Sequence, residues 1–332
     1  MLKRPKLSSL FLLVCIIGAA ATVSLAEEKR YLTGNRGDVK PKLHGPALIF
    51  GGGNVDVGTA LQWTINQVRG CEDCPIKLDL VVLRSSGDDG YNKPFFALKG
   101  VDSVETLLIT NRDDSNSPAV RDTVRNAEVI FFAGGDQCNY VRYFKDTEVE
   151  KGVESVYRNG GGVGGTSAGL AIMGSITYDA CSGGSAQSTK ALSNPYYEDI
   201  SFTYDFFNWK YMQDTITDTH FAQRDRMGRT LAFLARQIKD KSKKSILSIA
   251  VNEKTSVTVD KKGLARVVGS GPAYFILADH KPELCERGKP LTYSNYKVWR
   301  IASGQTFNLK KRPSVGFYTV SVEQGKIISN PY

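Results

Sequence analysis

The sequence predicts an α/β fold: a doubly wound, mostly parallel sheet with a β-rich C-terminal third. Three observations carry this expectation. Two short apolar runs each stop at a glycine cluster, Ala47-Leu48-Ile49-Phe50 before Gly51-Gly52-Gly53, and the run closing on Phe131-Phe132 before Gly134-Gly135. Helix-like stretches separate such runs through the first half of the chain. Beyond about Ser245 the helical spacing gives way to closely set strand patterns with turns between them. Apolar strands that alternate with helices form a parallel sheet covered on both faces.

Taken in chain order, the first segment is a leader. Lys3, Arg4 and Lys6 form a positive start, Leu10 to Ala21 is apolar or small, and Ser24-Leu25-Ala26 offers the small residues a signal peptidase reads. Residues 1–26 are therefore expected to be a secretory signal peptide, cut after about Ala26. The apolar run is too short to span a bilayer comfortably. The mature chain is expected to be extracellular, or periplasmic in a bacterium. Its removal lowers the formal charge from +9 to +6, with no basic run of the kind that marks a nucleic-acid arm. Residues 27–45 are polar and read as a loose lead-in, and 46–332 as one α/β domain.

Strands are expected at 47–50, 77–84, 104–110 and 128–132, with a helix over about 58–68. Further short strands are expected at 246–251, 256–259, 265–268, 274–277, 297–301 and 317–322, either extending the sheet or forming hairpins on its edge. No internal repeat or low-complexity tract interrupts this order.

The strongest chemical signal is Gly165-Thr166-Ser167-Ala168-Gly169, inside a longer glycine-rich stretch that begins at Gly160. A G-x-S-x-G pattern suits a sharp strand-to-helix turn that lifts the serine hydroxyl above the sheet. The Ala168 N–H would then point at a developing oxyanion, aided by the positive end of the following helix. A phosphate-binding loop is the competing reading, but no Gly-Lys-Ser/Thr follows. A serine nucleophile needs a base, and the chain has three histidines: His44, His220 and His280. His220 stands apart because it lies downstream of the turn, among Asp218, Arg224, Asp225, Arg226 and Arg229.

Three blocks together resemble the cyanophycinase branch of the S51 serine peptidases: Phe131-Phe132-Ala133-Gly134-Gly135-Asp136-Gln137, the Gly165–Gly169 turn, and Asp218–Arg229. The resemblance covers about residues 46–280. It implies a flavodoxin-like sheet of the class I glutamine amidotransferase type. It implies Ser167 as nucleophile, His220 as general base and Glu253 as the acid that orients the histidine, with Asp218 and Asp225 as rivals for that last role. It further implies Gln137, Asp218, Thr219, Arg224, Arg226 and Arg229 as substrate-binding residues, Asp218 facing a substrate guanidinium and the arginines lying at the rim. Gly135, beside Gly134, would join Ala168 in the oxyanion site, since glycine lets the backbone approach closely. The chain departs from the expected pattern at Thr219, where glutamine is usual, at Ala222 and Asp225, in place of serine and glycine, and at Leu170, where a small residue is usual. These departures bear on substrate preference.

The implied reaction is hydrolysis of β-aspartyl-arginine (isopeptide) linkages by an acyl-enzyme route. The implied partners are a peptide or polyaspartate-type substrate and a second copy in a homodimer, with no nucleic acid, and no membrane after leader removal. No metal or organic cofactor is expected, and no H-E-x-x-H motif occurs. Two alternatives stay open: an aspartyl or isoaspartyl dipeptidase, and a secreted inactive homologue with a structural or binding role.

Of the six cysteines Cys15 lies in the leader, so the mature chain keeps an odd number, five. An oxidising compartment permits disulfides. Cys71 and Cys74 are expected to pair locally. Cys138 and Cys181 are expected to pair because each follows a motif that should reach the same edge of the sheet. No Asn-x-Ser/Thr sequon is present.

Overall fold

The computed structural model describes Met1, Leu2 and residues 29–332. The leader expectation falls almost wholly outside these residues. Two sheets form the framework. The first has nine strands, running edge to edge Lys29–Gly34, Val101–Leu108, Leu78–Arg84, Val129–Phe132, Gly162–Thr166, Ala47–Gly51, Thr255–Val259, Leu264–Gly269 and Thr306–Asn308. Its five strands from Val101–Leu108 to Ala47–Gly51 are parallel, and those outside them are antiparallel. The expected parallel sheet is therefore present as its centre. The segment read as a loose lead-in holds an edge strand instead. Lys29–Gly34 pairs with Val101–Leu108, and its polar side chains suit an exposed edge.

The β-rich C-terminal third divides between the sheets. Thr255–Val259, Leu264–Gly269 and Thr306–Asn308 extend the first. The second sheet orders Lys326–Ile327, Tyr318–Glu323, Tyr293–Ile301, Ala273–Ala278, Ile246–Val251, Thr215–Asp218, Ile176–Tyr178 and Phe202–Tyr204. Alternation explains how they stack. Leu247, Ile249 and Val251 share a core with Leu48, Phe50, Ile130, Phe132 and Val163 of the first sheet. Ile246 and Ala250, on the other face, pack with Leu231, Leu234 and Ile238 of the helix Met227–Lys241. The outer face of the first sheet, with Ile49, Val82 and Phe131, is covered by Leu61, Ile65 and Val68 of the helix Gly58–Arg69. Both central sheets are thus buried on two faces, which is why their strands read as unbroken apolar runs. Among the described residues no helix is long and apolar enough to cross a membrane.

Two cysteine pairs stand at bonding distance. Cys138 and Cys181 have Cα atoms 5.0 Å apart, and Cys71 and Cys74 6.1 Å, within the reach of a disulfide. The first pair ties the helix Gln137–Phe144 to the loop after Ile176–Tyr178. Among the described residues Cys285 is buried and unpaired, and burial pushes its thiol up to about 12.

Candidate active site

Ser167 follows the strand Gly162–Thr166 and precedes the short helix Ala168–Ala171. Its backbone is held at φ 54°, ψ −116°, a conformation that L-residues rarely adopt and that persists only where the surroundings enforce it. The neighbours explain how it is reached. A Cβ at Gly165 or Gly169 would overlap the Phe132 carbonyl, so only glycine lets the turn fold this tightly against the adjoining strand. The Ser167 N–H donates to the Gly51 carbonyl at 3.0 Å.

His220 follows the strand Thr215–Asp218, also at positive φ, 45°. Its N–H donates to the Gly52 carbonyl at 2.8 Å. Its ring lies over Gly53, where a Cβ would overlap it. His220 Nε2 is 2.8 Å from Ser167 Oγ, and His220 Nδ1 is 2.7 Å from Glu253 Oε1. Glu253 sits just beyond the strand Ile246–Val251. Its other oxygen accepts from Asn54 Nδ2 at 2.8 Å, and its N–H donates to Gln223 Oε1 at 3.0 Å. With a carboxylate on Nδ1, the neutral ring carries its proton there and leaves Nε2 free to accept from the serine.

The electrostatics agree with that assignment. Burial pushes the His220 pKa below its ordinary 6.5, with Arg224 and Arg226 acting in the same direction against Glu253. The hydrogen bond from His220 chiefly holds Glu253 below the usual carboxylate range. A neutral imidazole beside an ionised carboxylate is the resting state a general base requires.

Ala168 is the first residue of its helix, so its N–H has no acceptor within that helix. Gly134 stands closest on the opposite wall: a Cβ there would be 3.4 Å from Ser167 Cβ and 3.9 Å from Oγ. Gly135 is exposed, at φ 152°. Gln137 is half-buried at the start of its helix, which Asp136 caps by accepting from the Cys138 N–H at 2.8 Å.

The structure places Asp218, Arg226 and Arg229 inside the protein rather than at the expected rim. Asp218 is buried and fully engaged inside the protein. Arg229 Nε donates to Oδ2 at 2.9 Å and Arg229 Nη2 donates to Oδ1. Thr230 Oγ1 and the Thr219 N–H each donate at 2.8 Å, and Arg226 Nη1 lies 3.5 Å away. Burial works to raise the Asp218 pKa, but Arg229 and Arg226 outweigh it and hold the carboxyl low. Four donors within the protein thus already meet the two Asp218 oxygens. Arg229 is buried with it and also donates to Ser185 Oγ at 2.9 Å. Arg226 is buried too. Its Nη1 donates to the Thr219 carbonyl at 2.9 Å and to Thr219 Oγ1 at 2.8 Å, and burial lowers its pKa to about 10. Thr219 thus holds Arg226. Of the three arginines only Arg224 lies at the rim, exposed, with Nε 3.9 Å from Glu253 Oε1. Asp225, a rival for the orienting acid, points away and binds the Tyr332 hydroxyl at 3.0 Å.

Sequence reasoning missed Asn54, Gln223 and Tyr332. Asn54 closes a three-glycine run at a strand end, a signal that was present. Tyr332 is remote in sequence, yet its hydroxyl accepts from the Met227 N–H at 3.0 Å and its ring packs edge-on to Phe221. Among the described residues no group of three or more His, Cys, Asp or Glu side chains could hold a metal ion.

The sequence profile of Peptidase family S51 matches residues 91–266. The chain belongs to this peptidase family. Curated relatives include the cyanophycinases of Trichormus variabilis and of a Nostoc species, each 27% identical over 222 residues, covering 65% of this chain and 69% of theirs. The Synechococcus elongatus cyanophycinase is 24% identical over 216 residues, covering 64% of this chain and 62% of its own. Among solved structures, a peptidase from an acI-B1 Actinobacterium shares the fold at a TM-score of 0.53 and 16% identity, covering 81% of this chain and 98% of that one.

Proposed function

We propose that this S51 peptidase is a secreted serine hydrolase of aspartyl amide bonds, acting on an arginine-bearing aspartyl polymer of the cyanophycin kind. The observation that carries the chemistry is the continuous chain from Ser167 Oγ through both nitrogens of His220 to Glu253, at 2.8 and 2.7 Å. Ser167 Oγ attacks the carbonyl while His220 Nε2 takes its proton. Glu253 orients the ring and stabilises the imidazolium that forms. The Ala168 N–H, with the backbone at Gly134 and Gly135, faces the developing oxyanion. His220 then returns the proton to the leaving amine, and water releases the acyl group by the same steps in reverse.

The similarity to cyanophycinases supports the substrate class. Two cysteine pairs at bonding distance support an oxidising compartment, and a mature protein starting near Glu27 is the result that fits secretion. The test of function is incubation with the polymer and mass analysis of products. Free arginine marks isopeptide cleavage, while β-aspartyl-arginine marks main-chain cleavage. Ser167→Ala should abolish either one. No product from the wild-type protein would defeat the reading.

A further inference from the structure

A cavity of about 320 Å³ opens beside the serine turn, lined in part by Gly51, whose carbonyl accepts the Ser167 N–H. Its walls are apolar, formed by Leu61, Phe95, Leu98 and Phe131, with the ring of Tyr91 on one side. One charged side chain, Asp56, lies in this lining. Among the described residues Asp56 Oδ1 is hidden from solvent and makes no hydrogen bond of good geometry, and the groups beside the carboxyl are the neutral hydroxyls of Thr166 and Tyr91. Neutral hydroxyls leave the charge of a buried carboxylate uncompensated, and a cation would compensate it.

We propose that this cavity is a specificity pocket for a basic side chain of the substrate, with Asp56 receiving the cationic head and the apolar walls receiving the aliphatic stem. The inference rests on the peptidase reading only in placing the substrate at Ser167. Several features agree. Asp218, the carboxylate expected to meet a guanidinium, is already saturated by Arg229, Thr230 and Thr219. Burial raises the Asp56 pKa against the hydrogen bonds of Thr166 and Tyr91, and a bound cation would lower it. Two exposed acids, Asp88 and Asp89, precede Gly90 at the cavity lining, and would draw a cation toward it. Of the nearest bases, Arg84 is committed to the Ser86 and Asp88 carbonyls, and Lys93 is exposed on the next helix. The volume is at the small end for a ligand site and suits one side chain.

The test is binding, so that it does not depend on turnover. Calorimetry on the Ser167→Ala protein compares Nα-acetyl-arginine amide with Nα-acetyl-citrulline amide, which has the same length and a neutral head. The arginine probe should bind at least about tenfold more tightly, as expected of a charge-assisted hydrogen bond. Asp56→Asn should remove that preference. Leu98→Trp, which fills the cavity from its half-buried rim, should abolish binding of both probes and serves if Asp56→Asn fails to fold. Equal affinities, no binding, or a preference that survives Leu98→Trp would overturn the proposal. A protein that hydrolyses no polymer yet shows the arginine preference would defeat the functional reading and leave the pocket standing.

Discussion

Asp218 and Glu253 close neighbouring parallel strands of the second sheet, where Ala250 pairs with Asp218, yet their carboxylates do different things. The Asp218 side chain is 4% exposed and is met by Arg229, Arg226, Thr230 and the Thr219 N–H. The Glu253 side chain is 19% exposed and meets His220 and Asn54. The first cluster is closed: four donors meet the two Asp218 oxygens from within the protein. The second is open, because Glu253 satisfies one nitrogen of His220 and leaves the other on the serine. Saturated charge fixes a loop in place, while an unfinished hydrogen-bond chain is what the proposed reaction needs.

Removing Glu253, the proposed orienting acid, should have the largest effect. Glu253→Gln is expected to lower kcat by about 10²–10⁴-fold, because the ring loses its tautomer and its imidazolium partner. The melting temperature should hardly move, since Glu253 is partly exposed. Steady-state kinetics beside a thermal melt check this, and an intact kcat with a lowered melting point would reverse the roles of the two acids.

Asp218→Asn should behave in the opposite way. It leaves Arg229 and Arg226 buried with a neutral partner, which costs about 3–5 kcal/mol, or on the order of 10 °C in a domain of this size. Differential scanning calorimetry reads the loss. A variant with wild-type stability and a raised KM for basic substrate would restore Asp218 as a substrate contact.

The pH profile sharpens the contrast further. Burial depresses the His220 pKa, so kcat/KM should rise with pH through an apparent pKa below 6.5 and then stay flat through neutrality, since only the neutral ring accepts the serine proton. Arg224→Gln removes a nearby positive charge and should move this limb to higher pH, the less so as salt screens the exposed charge. A limb unmoved, or moved to lower pH, would contradict the assignment.

The smallest effect is expected at Tyr332. Its hydroxyl braces the loop between the two clusters, accepting from the Met227 N–H and meeting Asp225. Tyr332→Phe should cost about 1 kcal/mol and quicken amide exchange at Met227. Unchanged exchange would mean that the loop needs no such brace.

Much of this was legible in sequence, for identifiable reasons. Strands buried on both faces, such as Ile246–Val251, announce themselves as apolar runs. Lys29–Gly34 does not, because an edge strand with polar side chains carries no such run. The three-residue strands Ile176–Tyr178 and Phe202–Tyr204 are too short to show a period. Ser167 and His220 were legible because a glycine-framed serine is a backbone requirement and histidine is scarce. The fate of Asp218 was not, because its partner Arg229 comes from the next helix, eleven residues on, and no spacing rule says which of several arginines turns inward. Asp56 was silent for the same reason: which groups meet a buried carboxyl is settled only in three dimensions.

The central claim is that Ser167 is the nucleophile, activated by His220. A fluorophosphonate probe reacts with such a serine and with few others. Intact-mass and peptide mapping after labelling of the folded protein should find one adduct, on Ser167, and labelling should be lost in Ser167→Ala and strongly slowed in His220→Ala. An unlabelled wild-type protein, or an adduct at another residue with Ser167 unmodified, would contradict the account.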